Sequence, residues 1–96
     1  MPVYITLMKF TSQGMSGIPA WRDRVEEAER AMEERGGRLL DAYVTLGRYD
    51  VVELFEAPDD ETAYRILTEL AKHGQVTTET LRAFTREEAE RFVKGS

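Results

Sequence analysis

Cysteine is absent from the 96 residues. That excludes a disulfide framework, thiolate metal ligation and thiol redox chemistry. Histidine occurs once, at His73, so a metal site within one subunit would have to rest on carboxylates beside it. No metal and no cofactor is expected. Basic residues are in the minority: 13 Lys and Arg stand against 18 Asp and Glu, a formal net charge of −5. Phosphate-backbone binding draws on clustered Lys and Arg, so nucleic acid is not an expected partner. No apolar run approaches the roughly 20 residues of a membrane helix. The strand-like run directly after Met1 has neither a basic n-region nor a long apolar h-region. No membrane partner is expected, and the expected location is the cytoplasm. Catalytic signatures are missing too. The glycine-containing segment Ser12-Gln13-Gly14-Met15-Ser16-Gly17 lacks the lysine of a phosphate loop.

What is present is the patterning of a small folded domain. Hydrophobic content is 42% and charged content 32%, which suits a packed core and not a disordered chain. One domain spanning residues 1–96 is the natural reading of this length. So short a chain buries only roughly 60–70% of its unfolded surface, which favours stabilisation by self-association.

Val3 to Phe10 is rich in β-branched, aromatic and large apolar residues and predicts a first strand, apolar on both faces. Residues 11–17 read as a loop, and Pro19 suits the first turn of a helix. Trp21, Val25, Ala28 and Met32 then recur at helical spacing, and Gly36-Gly37 stops that helix. Arg38–Leu46 and Asp50–Ala57 read as two strands joined through Gly47-Arg48-Tyr49. Asp59-Asp60 supplies an N-cap for a helix carrying Ala63, Ile66, Leu67 and Leu70, closed by His73-Gly74. Gln75–Phe84 is a fourth strand, and Thr85-Arg86-Glu87-Glu88 has the form of a capping box ahead of a short terminal helix. The order β-α-β-β-α-β predicts an α+β, ferredoxin-like antiparallel sheet in strand order 4-1-3-2, with both main helices on one face.

The helices cover one face only. The expected helix-facing set is Val3, Ile5 and Leu7 with Leu40, Ala42, Val44, Val52, Leu54, Leu81 and Ala83. The other face then holds Tyr4, Thr6, Met8, Phe10, Tyr43, Val51, Glu53, Phe55, Thr78, Thr80, Arg82 and Phe84. A face so aromatic predicts burial against a second copy of the chain, so a homodimer or higher homo-oligomer is expected.

Three segments carry a family resemblance. Leu46-Gly47-Arg48-Tyr49-Asp50-Val51-Val52 resembles the signature of the GYD domain family. Val3-Tyr4-Ile5-Thr6-Leu7 with Gln13-Gly14 is similar to its opening strand and loop, and Thr78–Thr85 to its final strand. The resemblance covers nearly the whole chain. It implies a ferredoxin-like fold of the dimeric α/β-barrel type and no particular reaction. Glu53 stands where an apolar residue is the usual expectation.

Candidate sites follow from chemistry-bearing residues near the hairpin. Tyr43, Tyr49, Asp50 and Arg82 offer an aromatic wall, a hydroxyl, an acceptor and a cation, and are the expected ligand-binding set. Each also has a structural role open to it. Gly47 can take the positive φ of a tight turn, Asp50 can accept a backbone N–H, and His73 can cap a helix C-terminus. Glu53 and Arg82 are candidates for a buried ion pair or, through Arg82, an anion clamp. The function expected is a small oligomeric domain that binds a small molecule or serves a structural role. The alternative is a cofactor-free oxygenase or isomerase using Tyr43, Tyr49 or His73 on a small hydrophobic substrate.

Overall fold

The computed structural model describes residues 1–16 and 21–95. Among them β1 (Val3–Phe10) is followed by a single helical turn, α1 (Ser12–Ser16), and by α2 (Trp21–Glu34). The chain continues as β2 (Arg38–Val44), β3 (Val51–Glu56), α3 (Asp60–Ala71), β4 (Val76–Ala83) and α4 (Arg86–Lys94). The strands form one antiparallel sheet in the order β2-β3-β1-β4, the arrangement predicted from the element order. β1 has the predicted bounds, and β2, β3 and β4 end one or two residues short of theirs.

The caps behave as their sequence dictates. Asp59 accepts from the Thr62 N–H at 2.7 Å to start α3. Thr85 and Glu88 form the complete capping box of α4, with hydrogen bonds of 3.1 and 2.9 Å. Gly47 holds φ at 115°, as the hairpin required. The segment expected to be a loop after β1 instead winds into α1. Thr11 caps it by accepting from the Gly14 N–H at 3.1 Å, and its hydroxyl donates to the Gly74 carbonyl at 2.7 Å. A Cβ on Gly14 would stand 2.0 Å from the Gln75 carbonyl oxygen, so only glycine lets α1 lie against the start of β4. The predicted helix start at Pro19 lies outside the described residues.

On β1, β3 and β4 the faces are the reverse of the sequence expectation, whereas on β2 Ala42 and Val44 pair with Glu53 and Val51 of the covered face and Tyr43 with Val52 of the bare one, as expected. Tyr4, Thr6, Met8, Val51, Glu53 and Phe55 lie buried beneath α2 and α3. Val3, Ile5, Leu7, Val52 and Leu54 alternate with them onto the bare face and are half-buried, while Leu81 is 47% exposed. The physical reason is volume. Three of the five residues that the helices bury are small, Ala28, Ala31 and Ala63 beside Met32 and Ile66, so the sheet must supply large ones as well. Tyr4 and Phe55 do so, stacked with ring centroids 5.2 Å apart. With Met32, Ala57, Ala63 and Ile66 they form the core cluster, against which Leu39, Leu67 and Leu70 pack. A register shift between Leu39 and Asp41 leaves Leu40 unpaired, so Leu39 and not Leu40 opposes Phe55 on the covered face.

Candidate functional site

The helix-covered layer is filled at one end and hollow at the other. β1 runs from Tyr4, in the packed cluster, to Phe10, which lines a cavity of about 370 Å³. Helix α2 runs past the same cavity, contributing Trp21, Arg24, Val25 and Ala28, and α3 closes it with Leu70. Phe10 and Trp21 meet edge to face, with centroids 6.1 Å apart. Met8, Val25 and Val76 complete a largely apolar wall. The mouth is charged with both signs, by Glu27, Arg30 and Glu34 from α2 and by Glu69, Lys72 and His73 from the end of α3.

Glu53 lies inside this cavity on the central strand β3, only 3% exposed. Strand periodicity puts it there, because its neighbours two residues away, Val51 and Phe55, are fully buried on the same face. Its opposite residue on β1 is Thr6, whose hydroxyl shares a 3.1 Å hydrogen bond with Thr80. Oε1 of Glu53 has no hydrogen-bond partner. Burial raises the carboxyl to about 7 from an ordinary 4.5, and the Glu29 carboxylate pushes in the same direction. Nε of Arg24, also lining the cavity, is the other buried side-chain atom without a partner among the described residues. A carboxyl poised near neutrality inside a cavity can accept or donate a proton. A guanidinium N–H without an acceptor can bind an oxyanion.

The residues that the sequence points to are dispersed. Tyr43 lies on the bare face of β2, exposed, and its hydroxyl donates to Asp41 at 2.7 Å. Tyr49 donates its hydroxyl to Glu79 of β4. Both phenols are raised above their ordinary range, chiefly by these hydrogen bonds. Asp50 is taken up by backbone: its carboxylate accepts from the Phe10 N–H at 2.8 Å, and its own N–H donates to the Met8 carbonyl at 2.8 Å. Arg82 lies at the opposite end of the sheet. It stacks over Phe84 at 4.5 Å and Tyr4 at 5.6 Å, 3.8 Å from the Asp60 carboxylate. The Tyr4 hydroxyl donates to the same carboxylate at 2.5 Å, which together with burial raises Tyr4 to about 12. The ion pair considered between Glu53 and Arg82 does not form, because β1 separates their strands. His73 sits in the turn after α3 at the cavity mouth, one residue beyond the C-cap Lys72. None of Tyr43, Tyr49, Asp50 and Arg82 lines the cavity. Trp21 and Arg24, which do, carry no sequence signal beyond a helical stripe and its charged flank. Glu53 does, as an acid interrupting an apolar strand.

Comparison with known proteins fits this architecture. A protein of Thermus thermophilus described as glutamine synthetase and cystathionine beta-lyase binding protein is 36% identical over 84 residues, spanning 86% of this chain and 88% of the relative. Among solved structures, FFRP-DM1 matches with a TM-score of 0.61 at 23% identity, over 88% of this chain and 100% of its own. The dehydrochlorinase TftG of Burkholderia phenoliruptrix AC1100, which acts on 5-chloro-2-hydroxyhydroquinone and was solved with 2,5-dihydroxybenzoquinone, has a TM-score of 0.62 at 12% identity. That match spans 91% of this chain and 97% of the enzyme, and it is a likeness of fold, the dimeric α/β-barrel. The model of the GYD domain matches residues 4–93, so the chain belongs to the GYD domain family.

Proposed function

We propose that this chain is a small-molecule-binding domain that works as a homodimer. The ligand sits in the cavity between the sheet and helices α2 and α3. One observation carries the reading: Glu53 is a buried acid whose Oε1 has no partner in the protein, and it lines a cavity of about 370 Å³. Leaving a buried acceptor unpaired costs about 1–3 kcal/mol, and a ligand donor would remove that cost. The test is a metabolite screen read by chemical-shift perturbation. Hits should move the Trp21 indole and the Val25 and Ala28 methyls. Hits that move only Tyr43, Tyr49, Asp50 and Arg82 would relocate the site to the hairpin cluster, and an empty screen would remove the reading.

The dimer rests on the bare sheet face. Val3, Ile5, Leu7, Val52, Leu54 and Leu81 form an aliphatic surface there that a second copy would cover. Leu54→Asp should yield monomers in sedimentation velocity without loss of the helical signal. Wild-type protein that sediments as a monomer at micromolar concentration would overturn this half of the proposal.

A second reading is favoured by the description of the Thermus relative, namely that the chain binds another protein. The terminal helix offers a surface for it. No residue of α4 is buried, and Phe84 and Phe92 meet edge to face at 5.1 Å while each is more than half exposed. Native mass spectrometry with a glutamine synthetase and a cystathionine β-lyase tests it. Absence of any complex with either would leave the small-molecule reading alone.

A further inference from the structure

The polarity inside the cavity narrows the ligand class, an inference that rests on the small-molecule reading above. Among the described residues, Glu53 Oε1 and Arg24 Nε are the two buried side-chain atoms without a hydrogen-bond partner, and both residues line the same cavity. One is an acceptor and the other a donor. They form no ion pair with each other, so neither satisfies the other. The missing partners are therefore a donor against Glu53 and an acceptor, best an oxyanion, against Arg24. The same cavity has an apolar, partly aromatic wall, with Phe10 and Trp21 edge to face and Met8, Val25 and Val76 beside them. At about 370 Å³ the cavity is near the lower bound of ligand pockets, which run from roughly 300 to 1,000 Å³. That is more than twice the roughly 150 Å³ that holds benzene, so a ring carrying both a hydroxyl and a carboxylate fits.

We propose that the cavity takes a cyclic hydroxy-carboxylate, a ring compound whose hydroxyl donates to Glu53 Oε1 and whose carboxylate accepts from Arg24 Nε. The ring lies against the Phe10–Trp21 wall. Glu53 then selects for the hydroxyl and Arg24 for the carboxylate, and the apolar wall supplies affinity without preference between them. A site built to pair a substrate hydroxyl discriminates strongly against an analogue lacking it, because its own buried polar atom is then left unpaired.

The experiment is a set of titrations followed by tryptophan fluorescence and calorimetry. The 2-, 3- and 4-hydroxybenzoates are compared with benzoate, phenol and cyclohexanecarboxylate. At least one hydroxybenzoate should bind tenfold or more tightly than both benzoate and phenol. Glu53→Leu should erase its advantage over benzoate and keep its advantage over phenol. Arg24→Met should do the reverse, and Arg24→Lys should restore part of the preference for the carboxylate. Circular dichroism confirms that each variant is folded, and the arginine pair keeps the test open if Glu53→Leu is not. Equal affinities across the set, or variants that weaken every compound alike, would overturn the assignment. If no hydroxybenzoate binds while the metabolite screen finds other compounds that move Trp21, the cavity stands as the site and the hydroxy-carboxylate class falls. If nothing moves Trp21, both fall.

Discussion

The two ends of the layer between sheet and helices are built from the same elements and end differently. At the packed end Tyr4, Met32, Phe55, Ala57, Ala63 and Ile66 leave no room, and every one of them is buried. At the hollow end Met8, Phe10, Trp21, Val25 and Val76 surround space, and an acid stands among them. The difference is one of complementarity. Ala63 of α3 packs in the cluster that holds the two stacked rings, whereas Ala28 and Ala31 of α2 line the cavity. Stability is concentrated where volumes match, and binding capacity lies where they do not.

The largest effect that should separate the two ends comes from truncating their aromatics. Phe55→Ala should destabilise by about 3–5 kcal/mol, the range for a fully buried phenylalanine. Phe10→Ala should cost about 1–2 kcal/mol, since Phe10 is half-buried and already borders space. Equal losses in denaturant titrations would show the hollow end to be as tightly coupled to the core as the packed end.

Glu53 gives the next effect, and its sign follows from linkage. The folded-state value of about 7 lies above the ordinary 4.5, so the folded protein holds an extra proton between those pH values. Stability therefore falls as pH rises through the window from 4.5 to 7, and the full penalty, about 3 kcal/mol, is present above it. Glu53→Gln should remove that penalty. The variant should match wild type near pH 4 and exceed it by up to about 3 kcal/mol at about pH 8. Parallel melting-temperature profiles for the two proteins would show that Glu53 is solvated or paired in solution.

The smallest effect is a contrast between alanines. Ala63→Leu should cost about 1–3 kcal/mol by overpacking, whereas Ala28→Leu should be near neutral because the added carbons enter the cavity. Calorimetric unfolding measures both. Ala28→Leu should also abolish binding of any cavity ligand, and a variant that binds as before would place the ligand elsewhere.

Much of this is legible in the chain. The order of the elements other than α1, the Asp59 and Thr85 caps and the Gly47 conformation follow from short-range chemistry, and the strand order follows from the crossover rule. Which face meets the helices does not follow from the strands, and the expectation drawn from them is reversed on β1, β3 and β4 and holds on β2. β1 is apolar on both sides, so a period of two shows that faces alternate without showing which one is covered. The helices hold the missing information: three of the five residues they bury are alanines, Ala28, Ala31 and Ala63, and small helical residues call for large partners on the sheet. Glu53 is visible as an anomaly, but its meaning depends on the face. The cavity itself has no signature, because its walls come from β1, α2, α3 and β4 and meet only in three dimensions.

The Asp50 carboxylate has a consequence for how motion at the hairpin reaches the cavity. Pairing between β1 and β3 stops at Met8 and Val51, while β1 continues beside β4 to Phe10. Beyond Met8, the Phe10 amide is held from the hairpin side by the Asp50 side chain and not by a strand partner. Amide hydrogen exchange at Phe10 is therefore governed by the opening of one side-chain contact, a far smaller event than unzipping the sheet. Because the Phe10 ring is also a cavity wall, the protection factor of that single amide would report occupancy of the cavity through its tie to Asp50 of the signature turn.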